Sequence, residues 1–396
     1  MVEIFTLGCR LNQYDSARLK ALLNDYKKDL IVLNTCSVTS KAQSDARKMV
    51  RKLRKEYPST KIAVIGCSVK YSKNKLRDFL EADFIVENEK ELLKEIGLSS
   101  KDVVTPDFGK RTRAFLKIQE GCDRKCSYCV VPFLRGKSTS RELIDIEKEF
   151  DSLLAKKFKE IVLTGTNISD YGKDLERGLN LKVLLKTLIR KDGDFRIRLS
   201  SVEPSIIDEE LIEIIKESGE KICHHIHIPI QSMSRKVLKD MNRDQNVEKL
   251  KESVLKLFSA IPDIGIGCDV LVAFPTEGDK EFLETYSLLN ELPISFFHVF
   301  NYSRRENTAS SSLKPLPNEV SKERSKLILE LGKIKKNQFL KKNEGKILKS
   351  ITLSGNLALS SNFIEFKIEP KYEPNNFVEF RLKLNSKGEP YGVKVV

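Results

Sequence analysis

No apolar run in this 396-residue chain approaches the ~18 residues that a membrane span requires, so no membrane association is expected. The opening MVEIFTLGCRLNQYDS turns polar after seven residues and lacks the charged start, apolar stretch and small-residue cleavage site of a secretory signal. The expected location is therefore the cytoplasm, where thiols stay reduced. Cysteine is scarce, eight residues in all, and in that compartment clustered cysteines point to metal or redox chemistry rather than disulfides. No fixed-period repeat is visible, and no low-complexity segment beyond one lysine-rich stretch.

What is present is positive charge. Seventy Lys+Arg against 56 Asp+Glu give a net +14, which fits either a polyanionic partner or simply a lysine-rich solvated surface. The excess is uneven. Lys333 to Lys349 hold seven lysines and one acid, Glu344, while Lys110, Arg111, Arg113, Lys117, Arg124, Lys125, Arg135, Lys137 and Arg141 surround the densest group of cysteines. A site that handles nucleic acid needs such cations nearby.

The length suggests two or three domains at roughly 100 to 200 residues each. Residues 1–105 alternate apolar runs (EIFTL, DLIVLN, KIAVIG, DFIV) with helical periodicity, the signature of a parallel α/β sheet. A polar stretch, SSKDVVTPDFGKRT, follows as a boundary. Residues 112–342 resume the alternation through AFLKIQ, EIVLTG, FRIRLS, HHIHIPI, IGIGCDVLVAFP and SFFHVF, six strands with their helices, enough for a partial (β/α)6 barrel. Residues 343–396 change to short alternating runs (ILKSITLSG, FIEFKIEP, FVEFRLKL, GVKVV) between Gly, Asn and Pro turns, a small all-β module.

The stretch GCDRKCSYC places Cys122, Cys126 and Cys129 directly after the first barrel strand, where barrel enzymes carry their active sites. Three thiolates on one short loop can hold three irons of a [4Fe-4S] cluster and leave the fourth open. Zinc remains an alternative, but no second cysteine pair supplies its usual fourth ligand. A quieter set lies in the first unit: EIFTLGC, IVLNTC and IAVIGC end in Cys9, Cys36 and Cys67, each just past a predicted parallel strand. Strand ends on one edge of an open α/β sheet converge on its ligand crevice, so these three point to a second three-thiolate cluster. Cys268, inside a strand, and Cys223 are expected to be structural; His225 and His227 share one strand face and either pack or line the barrel interior.

Together these residues resemble the radical S-adenosylmethionine methylthiotransferases. CDRKCSYC matches the superfamily cluster motif, with Tyr128 at its aromatic position, and Cys9, Cys36 and Cys67 match the three cysteines of the family's amino-terminal domain. VVPFLRGKSTSR, VLTGTNISDYG, RIRLSSVEP, HIHIPIQSMS and VFNYSRR extend the likeness over nearly the whole chain, and the final module is similar to a shortened TRAM domain, an RNA-binding barrel. TLGCRLNQYDS resembles the branch that acts on threonylcarbamoyladenosine at position 37 of tRNA, whereas the isopentenyladenosine branch has Gly-Cys-Gln-Met-Asn and the ribosomal-protein branch Gly-Cys-Pro-Lys-Asn. Met233, Thr276, Asn301 and Asn307 depart from the family's usual Gly, Gly, Pro and Gly.

The resemblance implies methylthiolation of adenine C2 with two [4Fe-4S] clusters and S-adenosylmethionine. The loop cluster would cleave S-adenosylmethionine to a 5′-deoxyadenosyl radical, and the second would carry the sulfur. Tyr128, Gly165, Glu203 and Gln231 are expected around the nucleoside cofactor, with no catalytic side chain assigned beyond the clusters. Expected partners are a tRNA anticodon loop, a sulfur donor and a flavodoxin- or ferredoxin-like electron donor. Methylthiolation of isopentenyladenosine or of a ribosomal-protein aspartate stays open, as does a non-catalytic metal-dependent RNA-binding protein.

Overall fold

The computed structural model describes residues 2–72, 78–98, 104–176 and 178–395. The start of the polar boundary stretch, and part of the helix expected after KIAVIG, lie outside the described residues. The first unit is a four-stranded parallel sheet in the order β1 (Val2–Thr6), β2 (Leu30–Thr35), β3 (Lys61–Gly66), β4 (Phe84–Ile85). Every residue of LIVLNT in β2 is buried, as a central parallel strand covered on both faces requires. The helices α1 (Arg10–Leu22), α2 (Ser40–Glu56), α3 (Cys67–Tyr71) and α4 (Glu89–Glu95) follow in turn. One core packs Leu19 and Leu23 on Val32 and Ile65, and the other packs Val50 and Leu53 on Leu33 and Val64.

The second unit begins with β5 (Arg113–Lys117), followed by a short ribbon, β6 (Gln119–Glu120) with β7 (Thr139–Ser140), that brackets the cysteine loop. Between them lies α5 (Val131–Arg135), and after them α6 (Leu143–Ala155). Strand β8 (Glu160–Thr164) pairs in parallel with β5 on one side and with β9 (Arg196–Leu199) on the other. A second parallel sheet joins β10 (His225–Gln231), β11 (Gly265–Val272) and β12 (Phe296–Asn301). The two sheets are stitched where Cys223 N donates to Ile197 O (2.8 Å) and Val202 N to His227 O (2.8 Å), which makes one curved six-stranded barrel wall. Its outer helices are α7 (Leu181–Ile189), α8 (Glu209–Glu217), α9 (Arg235–Asp240), α10 (Val247–Ala260), α11 (Asp279–Glu291) and α12 (Asn318–Asn343).

The third unit is a closed five-stranded barrel of β13 (Ile347–Leu353), β14 (Leu357–Ser360), β15 (Glu365–Ile368), β17 (Pro390–Lys394) and β16 (Phe377–Leu384). The sequence pattern did not show β14, because LALS carries no alternation of polar and apolar residues. This module plugs the end of the large barrel where the strands begin. Glu160 is fully buried and takes hydrogen bonds from Arg196 (2.7 Å) and Arg198 (2.8 Å), whose remaining donors reach the carbonyls of Leu359, Ser360 and Ser361. The two guanidiniums outweigh burial and hold the Glu160 carboxyl well below the usual carboxylate range. Beside them Phe363 stacks on His225, ring centroids 4.2 Å apart, and closes the bore.

Candidate active site

The loop cysteines are held by an unusual turn. Gly121 has φ +77°, and a Cβ there would lie 1.8 Å from the Lys137 carbonyl oxygen, so only glycine fits. Gln119 Nε2 braces the turn from below by donating to Gly121 O (2.7 Å), and Cys122 N donates to Gly136 O (3.0 Å). The middle of the loop is pinned to the end of α9: Ser127 N donates to Met241 O (2.8 Å) and Ser127 Oγ to Asp240 O (2.9 Å). Burial and the neighbouring thiols raise two of the three: burial first, then Asp170 and Cys126, push Cys122 up, and burial first, then Cys126 and Cys122, push Cys129 up to about 12. Thiols so raised stay protonated until a metal is bound, and loading then releases protons.

The amino-terminal cysteines come together at the ends of β1, β2 and β3. Cys9 is the N-cap of α1, Cys36 follows β2 directly, and Cys67 opens α3. A lattice of polar side chains fixes the three loops. Asn12 Nδ2 donates to Leu7 O (2.8 Å) and Thr35 O (2.9 Å), Thr35 Oγ1 to Ile65 O (2.6 Å), and Ser68 Oγ to Cys36 O (2.6 Å). A Cβ on Gly8 would lie 2.4 Å from Cys36 Cβ, so the backbone must pass bare at this point. Burial raises the Cys36 and Cys67 thiols, Cys9 raises Cys36 further, Cys36 and Cys9 raise Cys67 further, and Arg135 opposes both. Two groups of three mutually close thiols, with no disulfide, suit a soft, thiolate-binding metal centre better than a structural core.

Helix α5 connects the two sets. It starts two residues after Cys129, and Cys67 packs against Val130 and Leu134 with Tyr71 alongside. From its last turn Arg135 hydrogen-bonds Asn12, Asp15 (3.0 Å) and Glu120 (2.6 Å), and Lys117 completes the network on Asp15 (2.8 Å) and Glu120 (3.0 Å). On the other side Arg305 lies over the Tyr71 ring at 4.0 Å and donates to Ser37 O (2.7 Å), clamping the Cys36 loop to the barrel.

Between these walls is a cavity of about 460 Å³. Cys9, Cys36 and Cys67 form one side; Thr164, Gly165, Thr166, Ser200 and Ser201, at the ends of β8 and β9, form another, with His225, His227, Asp269 and His298 further in and Phe363 as floor. Asp269 Oδ1 takes His227 Nε2 at 2.9 Å and His298 Nδ1 at 3.4 Å. Burial raises its pKa, but the two imidazoles outweigh that and hold the carboxyl at about 2.

Of the four residues expected around the nucleoside cofactor, Gly165 lines this cavity; a Cβ there would be 2.9 Å from Gln119 Oε1. Tyr128 and Glu203 meet at a residue the sequence reading did not single out, Arg243. Its Nη2 donates to Glu203 (3.0 Å) and to Pro229 O (2.9 Å), and its Nη1 faces the Tyr128 hydroxyl (3.5 Å) and Cys126 Sγ (3.9 Å). Glu203 is buried and also pairs with Arg124 (3.2 Å). Gln231 ends β10 at φ +67°, two residues past Pro229, and no hydrogen bond draws its side chain to Arg243 among the described residues. Nothing in MNRD marks Arg243 as special, because its partners lie 40 and 115 residues away.

The basic residues near the loop are mostly engaged within the protein. Arg113, Lys117, Arg124, Arg135 and Arg141 pair with Glu160, Asp15, Glu203, Glu120 and Glu149, while Lys110, Lys125 and Lys137 are exposed. The departures from the family pattern are accommodated differently. Asn307 takes φ +66°, which asparagine tolerates, whereas Met233 is buried. Thr276 donates its hydroxyl to Asp240 at 2.6 Å, and Asn301 accepts from Ser325. Cys223 and Cys268 are fully buried, as expected of structural residues.

Comparison with known proteins agrees with this geometry. The Radical SAM superfamily model matches residues 116–289, and the model of Uncharacterized protein family UPF0004 matches residues 1–87. A threonylcarbamoyladenosine tRNA methylthiotransferase (MtaB) of Aquifex aeolicus is 37% identical over 95% of this chain and 98% of its own. A tRNA-2-methylthio-N(6)-dimethylallyladenosine synthase of Clostridium perfringens is 31% identical over 87% of this chain and 85% of its own. Among solved structures, the radical S-adenosylmethionine methyltransferase TsrM of Kitasatospora setae superposes with a TM-score of 0.61 at 13% identity, covering 78% of this chain and 75% of that one, a likeness of fold. With one thiol set on the barrel loop, another at the sheet edge, and relatives matched over nearly its full length, the chain belongs to the radical S-adenosylmethionine methylthiotransferases.

Proposed function

We propose that the protein adds a methylthio group to C2 of the adenine of N6-threonylcarbamoyladenosine at position 37 of tRNA, using two [4Fe-4S] clusters and S-adenosylmethionine. The observation that carries this reading is the common cavity: the sheet-edge thiols form one wall and the barrel strand ends the other, with the loop thiols behind α5. Cys122, Cys126 and Cys129 would hold one cluster, and Cys9, Cys36 and Cys67 the other. When bound, the clusters supply the electron that cleaves S-adenosylmethionine and the sulfur that is transferred, chemistry that no side chain provides.

The rest is the work of this chain's own residues. Arg243, fixed by Glu203 and Pro229 O, places a cation beside Tyr128 and Cys126, where the carboxylate of an amino-acid-bearing nucleoside fits. Its Nε is buried and has no hydrogen-bond partner among the described residues. Gly165, kept bare by the close approach of Gln119 and Ile168, presents its backbone to the cavity at the end of β8, where a flat ring would lie. The target base, turned out of the anticodon loop, would enter between the two thiol walls. The exposed cations Lys125 and Lys137 at the loop, and Lys367, Lys371, Arg381, Lys383 and Lys394 on the small barrel, would meet the RNA phosphates. Residues 1–105, 112–342 and 343–396 would then act as sulfur-delivering, radical-forming and RNA-holding domains.

Nucleoside mass spectrometry of tRNA from cells lacking the protein tests the substrate. Loss of the methylthiolated threonylcarbamoyladenosine is expected; loss of the dimethylallyl nucleoside instead would transfer the assignment to the other branch.

A further inference from the structure

The cavity contains polar groups that the protein itself leaves without partners. Arg10, one residue after Cys9, lines it and makes no hydrogen bond or ion pair through its guanidinium among the described residues. The two carboxylates that act on it, Glu160 and Asp269, are already taken, the first by Arg196 and Arg198 and the second by His227 and His298. Ser200 Oγ and both ring nitrogens of His225 also line the cavity, buried to 8% and 2% exposure, and have no partner. Arg10 is close enough to act electrostatically on His225, which burial keeps neutral. A partly desolvated guanidinium with no counter-ion, above a neutral hydroxyl and imidazole, is a costly arrangement for an isolated protein. It is a suitable one for a ligand that carries a carboxylate next to a neutral hydrogen-bonding group.

We propose that Arg10 binds the threonyl carboxylate of the modified adenosine, with Ser200 and His225 taking the neutral hydroxyl and carbamoyl groups, so that Arg10 selects this nucleoside over ones bearing an uncharged N6 substituent. The inference rests on the functional reading above and adds to it the residue that sets substrate choice. A free carboxylate in the cavity could also belong to S-adenosylmethionine, so the test must separate the two sources.

Two RNA hairpins serve as probes, one with N6-threonylcarbamoyladenosine at the target position and one with its threonine methyl ester, which removes only the charge. Binding to the iron-loaded protein without S-adenosylmethionine is measured by fluorescence anisotropy, and product by nucleoside mass spectrometry. Wild type is expected to bind the acid on the order of 10- to 100-fold more tightly than the ester, the effect of one charged hydrogen-bonded pair. In Arg10→Gln the ratio should fall to near one through loss of acid binding, and Arg10→Lys should keep part of the preference. Equal binding of acid and ester by wild type, with product still formed, would overturn the proposal alone and assign Arg10 to S-adenosylmethionine or to packing. A preference that survives in Arg10→Gln would overturn it as well. If wild type makes no product from the threonylcarbamoyl hairpin, the functional reading falls and the proposal with it. The acid-to-ester comparison on wild type needs no variant, so a poorly folding Arg10→Gln does not remove the test.

Discussion

The two thiol sets reach similar geometry by opposite routes. Cys122, Cys126 and Cys129 are neighbours in sequence and depend on one loop, whose shape is fixed by Gly121, Gln119 and the end of α9. Cys9, Cys36 and Cys67 are spread over almost sixty residues and depend on the register of β1, β2 and β3. A locally encoded site can be lost while the fold survives. A site encoded by a sheet edge is lost only with the sheet, or by removing the thiols themselves.

The largest contrast should come from the thiols. Cys126→Ala is expected to abolish S-adenosylmethionine cleavage, whereas replacing Cys9, Cys36 and Cys67 together by Ala should leave about half the iron, retain cleavage and form no methylthio product. Iron analysis, 5′-deoxyadenosine release and nucleoside mass spectrometry read the three quantities. Product formed at the normal rate by the triple variant would remove the two-cluster reading.

The glycines sharpen the contrast at the level of stability. Gly121→Ala forces a left-handed residue against the Lys137 carbonyl, at a cost of roughly 2 kcal/mol or more, but the strain is confined to the loop. Its iron loss should come from one cluster, with little change in the unfolding temperature of the first unit. Gly66 has φ +94°, and its Cβ would lie 2.5 Å from Asn34 Oδ1 at the centre of the sheet edge. Gly66→Ala should therefore lower the unfolding temperature and the iron content together.

Arg135 spans both regions, so Arg135→Gln should cost about 2 kcal/mol, because Asp15 and Glu120 lose a shared cation. Denaturant unfolding of the metal-free protein measures it. The smallest effect expected is on acid stability. Burial raises the Glu120 pKa, but Lys117 and Arg135 outweigh it and lower the carboxyl from 4.5 to about 2. A depressed acid pKa contributes stability that is complete above about pH 4.5 and is lost as pH falls toward 2. In metal-free Glu120→Gln the fall in unfolding temperature across that window should be shallower; an identical slope would mean that the junction does not titrate.

The strands were legible because buried parallel strands read as unbroken apolar runs, as in DLIVLN and KIAVIG. The sheet-edge thiols were legible because each stands at the end of such a run. The polar machinery was not. Arg243, Glu160 with Arg196 and Arg198, and Asp269 with His227 and His298 draw meaning from partners that the fold alone brings near. The cations around GCDRKCSYC misled in a related way. A count of basic residues registers charge, but Lys117, Arg135 and Arg141 neutralise carboxylates inside the protein rather than meeting RNA.

The docking of the small barrel has a practical consequence. Phe363 belongs to that module yet forms the floor of the cavity, and the carbonyls of Ser360 and Ser361 complete the partners of Arg198. Deleting residues 343–396 to ask whether they hold RNA would also unseal the chamber, admit water beneath the reacting base and strand two guanidiniums on one carboxylate. Truncation would thus confuse grip with containment. Charge reversal at Lys367, Arg381 and Lys383, which are exposed and hydrogen-bond neither Arg196 nor Arg198, separates them.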